Sequence, residues 1–241
     1  MKILALDSSG LVASVAVVEE NDGNQNLLAE YTVNYKKTHS QTLLPMLDEI
    51  VKMIELDLKS IDAIALAAGP GSFTGLRIGS ATAKGLGFAL EKPLIEIPTV
   101  DALAYNLYGT DRVICPLMDA RRNQVYTGIY EFCGGSLHVL EPQMAAGIEV
   151  IADKLRALGR EVIFLGDGVP VFRKRLEEEL MAGETFSFAP AHLNKQRAGA
   201  VGALALQYLK EGKTVSAAEH RPVYLRLSQA ERERLEKEKN T

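Results

Sequence analysis

One order of elements is written twice along this chain, and that repetition narrows the fold more than any other feature. The first copy begins with an alternating strand, Lys2 to Leu6, that ends at Asp7. A turn at Ser8-Ser9-Gly10 leads to strands at Val12 to Glu19 and Leu27 to Tyr35. Leu43, Leu44, Leu47, Ile50, Val51 and Ile54 then recur at helical spacing, with Ser40 as the expected cap and Pro45 near the first turns. An apolar strand, Ile61 to Ala68, and a helix, Thr74 to Leu90, complete the unit. The second copy has strands at Val113 to Met118, ending at Asp119, then Val125 to Phe132 and Ser136 to Leu140. A helix follows at about Ile148 to Leu158, a strand at Glu161 to Leu165, the turn Gly166-Asp167-Gly168 and a helix near Val171 to Met181. Both copies read βββαβα, which predicts two mainly parallel sheets with helices on their faces. Leu94 to Ile97 adds a strand, Thr99 caps a short helix to about Tyr108, and a late helix is expected at about Lys195 to Lys210. The expected division is a first lobe over 1–99, a second over 100–226, whose late helix can pack back on the first, and a charged tail over 227–241.

Composition bounds what such a chain does. Its 241 residues are 47% hydrophobic and 24% charged, enough for a substantial core. The run after Met1 is broken by Asp7 before a signal-peptide core forms, and no apolar run reaches the roughly 20 residues of a membrane span. Only Cys115 and Cys133 are present, so reduced thiols in a cytoplasmic protein with no membrane contact are expected. A net charge of −4 argues against a strong general grip on nucleic acid, so an RNA role needs a partner or a local patch.

The segment Gly69-Pro70-Gly71-Ser72-Phe73-Thr74-Gly75-Leu76-Arg77-Ile78-Gly79 joins the buried strand to a helix that is weak on its own. Ser72 or Thr74 caps that helix, and Gly75, Gly79, Gly85 and Gly87 each cost about 1 kcal/mol relative to alanine in a helix interior. Gly75, Gly79, Ala83 and Gly87 fall at intervals of four, the ridge along which helices pack most often. Such a bare ridge admits either another element of the same chain or a second polypeptide. The segment lacks the Gly-Lys-Ser/Thr of a phosphate-binding loop.

The duplicated unit, with a hairpin turn after each strand-terminal aspartate, resembles the actin, hexokinase and Hsp70 type of ATPase fold, which is RNase H-like. In that superfamily the turns face nucleotide phosphates across a cleft. That resemblance marks Asp7, Ser8, Ser9 and Asp119 as vestigial phosphate-facing positions, with Arg121 and Arg122 beside them; the alternative is that the aspartates hydrogen-bond their own turns. The chain is further similar to the TsaB family, also called YeaZ. The likeness is carried by MKILALDSS at the start, His39-Ser40-Gln41-Thr42-Leu43-Leu44-Pro45, the glycine segment, and Pro222-Val223-Tyr224-Leu225-Arg226.

This resemblance implies a non-catalytic bacterial subunit required to form N6-threonylcarbamoyladenosine in tRNA. It implies a heterodimer with the metal-bearing catalytic subunit TsaD, joined by the ATPase TsaE, with tRNA engaged only through the complex and a weak homodimer in isolation. It also assigns the partner contact to helices over about Ser40 to Glu55 and Thr74 to Leu90, hence to Leu43, Leu47, Phe73, Gly75, Gly79, Ala83 and Gly87. No catalytic residue, metal or cofactor is expected. The catalytic relatives hold metal with two histidines one helical turn apart, whereas His39, His138, His192 and His220 contain no such pair. Two other readings remain: a small-molecule kinase of the same fold, resting on Asp7, Asp119 and Gly166-Asp167-Gly168, and a metallopeptidase, weakened by the missing histidine pair.

Overall fold

A computed structural model describes residues 1–36 and 38–226. Two five-stranded sheets are built in the same order. In the first, β1 (Lys2–Asp7) pairs antiparallel with β2 (Ala13–Asn21), which pairs with β3 (Asn24–Val33). On its other side β1 runs parallel to β4 (Ala63–Gly69), and β4 to β5 (Leu94–Pro98), giving the order β3-β2-β1-β4-β5. The second sheet uses β6 (Val113–Asp119), β7 (Gln124–Cys133), β8 (Ser136–Gly147), β9 (Val162–Leu165) and β10 (Phe186–Phe188) in the order β10-β9-β6-β7-β8. Read from β8, that is the first sheet over again; each sheet is mixed rather than mainly parallel, because the hairpin strands beside β1 and β6 pair antiparallel. The duplicated actin/hexokinase/Hsp70-like ATPase fold is therefore present in full. The three-residue β10 is the strand that sequence periodicity does not reveal.

Strand alternation decides which helices cover which face. Leu4, Leu6, Val15, Val17, Ile64 and Leu66 point to one side of the first sheet, where α1 (His39–Met53) and α2 (Phe73–Leu90) bury Leu43, Met46, Leu47, Ile50 and Ala83. Ile3, Ala5, Ala16, Val18, Ala63 and Ala65 point to the other side, onto α6 (Ala198–Lys210) and part of α3 (Thr99–Tyr105). Val100, Leu103 and Ala104 of α3 pack against Ile114, Met118, Tyr130 and Ile163 of the second sheet. The outer face of that sheet is closed by α4 (Ile148–Leu158) and α5 (Val169–Arg175), the latter continuing as a wider helical turn through Leu180. From Ala198 onward the chain is back on the first sheet, and Val215 bridges to Leu94 of β5.

Local caps depart from expectation at two places. The residue before α1 is Thr38 and makes no side-chain cap bond; Ser40 lies inside the first turn, while His39 Nε2 sits 2.8 Å from the Gly10 carbonyl oxygen and pins the β1–β2 turn. Thr99 does not cap α3 but is its first residue, and its Oγ1 accepts from the Gly69 amide at 3.1 Å. Ser72 does cap α2, accepting from Gly75 N at 3.3 Å. The expected charged tail, 227–241, lies outside the described residues.

Candidate functional site

The glycine segment after β4 is a socket for this chain's own backbone. A Cβ on Gly75 would overlap the Ser8 carbonyl oxygen, one on Gly71 the Ser9 carbonyl oxygen, and one on Gly79 the Ser8 hydroxyl. Ser72 N donates to Ser9 O at 2.6 Å and Ser8 Oγ donates to Gly75 O at 2.9 Å, so the β1–β2 turn is bonded into the start of α2. Gly69, with φ of 121°, leaves room for the Val223 carbonyl, whose amide donates to Ala68 O at 2.7 Å. Farther along, Gly87 abuts Ala217 and Leu94.

The row Gly75, Gly79, Ala83 and Gly87 is buried from within, which corrects its assignment to an intersubunit contact. Backbone-to-backbone approach explains the missing side chains. Leu43 and Leu47 are corrected in the same way, since both are buried in the core beneath α1. Phe73 is half-buried, stacked on Tyr224 with ring centroids 4.9 Å apart and covered by the Arg77 guanidinium at 4.0 Å.

The opposite side of the same helices is open. Leu44, Met53 and Phe88 are 53%, 74% and 61% exposed, and Ala81, Gly85 and Ala89 form a second row of small residues spaced by four. This row is offset from the buried one by two positions, about 200° around the helix axis. Nothing lies within 4 Å of a Cβ placed on Gly85. The signal was available in the sequence, but two small-residue rows on one helix cannot be sorted into inner and outer until the sheet beneath is placed.

Between the two lobes lies a cleft of about 340 Å³ lined by Gly10, His39, Ser72, Thr74, Arg121 and Asp167. Asp7, within electrostatic reach of His39 and Asp167, is 1% exposed; burial pushes its carboxyl up to about 6, with the Ser9 hydroxyl and amide, both on Oδ1, pulling the other way. Asp119 Oδ1 accepts from Arg121 N at 2.8 Å, and Asp119 N donates to Asp167 Oδ1 at 3.3 Å. Burial also raises the Asp167 carboxyl, opposed first by Lys195. Asp7 and Asp119 thus serve their own turns, while Ser8 and Ser9 spend their hydroxyls on Gly75 and Asp7. Among the described residues, no three His, Cys, Asp or Glu side chains converge as metal ligands. No described helix is long and apolar enough to cross a membrane.

A hydroxyl–imidazole–carboxylate chain lies behind α2, unmarked by sequence spacing. His220 Nδ1 is 2.5 Å from Glu96 Oε1, and its Nε2 is 2.8 Å from Ser80 Oγ. The order is that of a nucleophile, base and orienting acid. Ser80 and His220 are only 6% and 1% exposed, however, and these bonds tie the C-terminal segment to α2 and β5.

The family model described as TsaD, tRNA N6-adenosine threonylcarbamoyltransferase, matches residues 26–234. The tRNA threonylcarbamoyladenosine biosynthesis protein TsaB of Bacillus subtilis is 32% identical over 99% of this chain and 100% of its own length. The chain belongs to the TsaB family. The Escherichia coli protein of the same name is 33% identical over 94% of this chain and 95% of its own. The solved structure of YeaZ from Pseudomonas aeruginosa superposes with a TM-score of 0.77 at 29% identity, covering 93% of this chain and 99% of that one. Family members thus share this two-lobed frame, and the family name attaches it to tRNA threonylcarbamoyladenosine biosynthesis.

Proposed function

We propose that this chain is the non-catalytic subunit of a tRNA threonylcarbamoyl-transferring complex, which binds and activates a TsaD-like catalytic subunit and works with a TsaE-like ATPase. The observation that carries this reading is the outward face of α1 and α2, where Leu44, Met53 and Phe88 stand exposed beside the open Ala81–Gly85–Ala89 row. Burying apolar side chains and a bare helix ridge against a partner helix offsets the cost of an exposed mid-helix glycine. A catalytic subunit built on the same duplicated fold presents helices of matching geometry. In its absence, a second copy of this chain takes the same face as a weak homodimer.

The cleft supports a subunit that works without a nucleotide or metal of its own. The β1–β2 turn beside it is bonded into α2, and the buried Asp7 carboxylate serves Ser9. The protein acts in the cytoplasm in this reading, and its contribution is to hold the partner in its active geometry. Reconstitution from purified subunits, tRNA and the activated threonylcarbamoyl donor tests it. Modification should be lost when this chain is omitted and absent with this chain alone; undiminished modification without it overturns the reading.

A further inference from the structure

The β6–β7 turn carries a backbone cost. Arg121, Arg122 and Asn123 have φ of 63°, 56° and 58°. That left-handed region costs a residue with a side chain about 1–2 kcal/mol, and asparagine tolerates it best. The β7–β8 turn meets the same demand with Gly134 and Gly135. Asn123 is held through Nδ2 to Glu149 Oε1 at 3.2 Å, and Arg121 pairs with Asp119 at 3.3 Å while its side chain stays 87% exposed. Arg122 is exposed and makes no side-chain hydrogen bond or ion pair among the described residues. Strain of this kind, kept where a cheaper residue would fit, points to a role outside the fold.

Other cations gather at the same mouth. Arg226 Nη1 donates to Ala120 O at 2.6 Å, which sets its guanidinium against the turn. Two residues earlier Tyr224 stacks on Phe73, which also carries the Arg77 guanidinium. Arg121 shares the cleft lining with Thr74 and Ile78 of α2. Among the described residues, the carboxylates at this mouth are Asp119, already paired with Arg121, Asp167, half-buried beside Lys195, and Glu149, taken by Asn123 and Arg175. On a chain of net charge −4, the result among the described residues is a local positive patch around an aromatic pair, at the end of α2 that borders the proposed partner face.

We infer that this arginine–aromatic mouth contacts RNA directly, its guanidiniums on backbone phosphates beside the Phe73–Tyr224 pair. Planar guanidinium groups bind phosphate in pairs of hydrogen bonds, and aromatic rings receive unstacked bases of single-stranded loops. The inference rests on the proposed role in tRNA modification, and it makes this subunit part of the substrate-binding surface.

The test uses the assembled complex and unmodified tRNA. Arg122→Asn removes one charge while easing the backbone, and Arg121→Asn with Arg122→Asn removes two. KM for tRNA should rise about 3–10-fold, and the slope of log affinity against log salt should fall by about one per arginine. The loss should fall on KM rather than kcat, with thermal stability no lower than in the unsubstituted chain. Unchanged KM and salt slope would overturn the inference. Photo-crosslinking of thiouridine-bearing tRNA to the unsubstituted complex gives a second readout. Crosslinks on peptides holding Phe73, Arg122 or Tyr224 support direct contact, and crosslinks confined to the partner subunits refute it. Should modification proceed without this chain, the parent reading fails; dependence on the chain with unaltered tRNA parameters sinks the RNA contact alone.

Discussion

Two alanine substitutions in α2 should move stability in opposite directions. Gly75 and Gly85 are both helical, and replacing glycine by alanine inside a helix gains about 1 kcal/mol when nothing else changes. At Gly85 nothing lies within 4 Å of the new methyl, so the gain stands. At Gly75 the methyl would overlap the carbonyl oxygen of Ser8, which is backbone and cannot rotate away. Relief requires shifting the β1–β2 turn, which is tied by Ser72 N to Ser9 O and by Ser8 Oγ to Gly75 O. Overpacking of that sort costs about 1–3 kcal/mol or more and outweighs the propensity gain.

The expected result is Gly85→Ala stabilised by about 1 kcal/mol and Gly75→Ala destabilised by about 2 kcal/mol, an overpacking cost of about 3 kcal/mol against a rigid backbone oxygen less the propensity gain of about 1 kcal/mol. At about 2–4 °C per kcal/mol for a chain of this size, the two melting temperatures should differ by about 6–12 °C. Thermal and urea unfolding of the isolated chain measure this directly. A Gly75→Ala protein as stable as the unsubstituted chain would show that the row Gly75–Gly79–Ala83–Gly87 is not a socket for the first turn. A destabilised Gly85→Ala would show that the outer row is not open.

Three further outcomes follow from the same contacts. The folded Asp7 carboxyl is pushed up to about 6, so its ionised form opposes folding above that pH and the penalty fades as pH falls toward 4. Asp7→Asn should therefore stabilise the chain by up to about 3 kcal/mol at pH 8 and give little at pH 4, as read by urea titration at both pH values. His220→Ala strands Ser80 and Glu96; it should cost about 2 kcal/mol or more and speed protease cleavage of the segment after α6, and an unchanged urea midpoint would disprove the tie. Met53→Glu and Phe88→Glu should each weaken binding of the catalytic subunit at least tenfold without lowering the monomer's melting temperature, while equal affinity would move the partner off this face.

The sequence by itself determined the duplicated frame and the family. Alternating strands and the helix periods of α1, α2 and α4 follow from side-chain spacing, which is local, and two copies of one order leave few ways to assemble the sheets. Where it fell short, a local signal was too small or misleading. Strand β10 is three residues long, and β8 runs on to Gly147 through Pro142, an amide-less residue that the strand accommodates as a sheet edge.

Only the tertiary structure decided which face of α2 is inside. The spacing of four announces a bare ridge but not what fills it, because that depends on Ser8 and Ala217, residues far away in sequence. For the same reason the Ser80–His220–Glu96 tie and the arginine mouth were illegible: hydrogen bonds spanning 140 and 124 positions leave no periodic trace, and a charge patch exists only once distant loops share a surface.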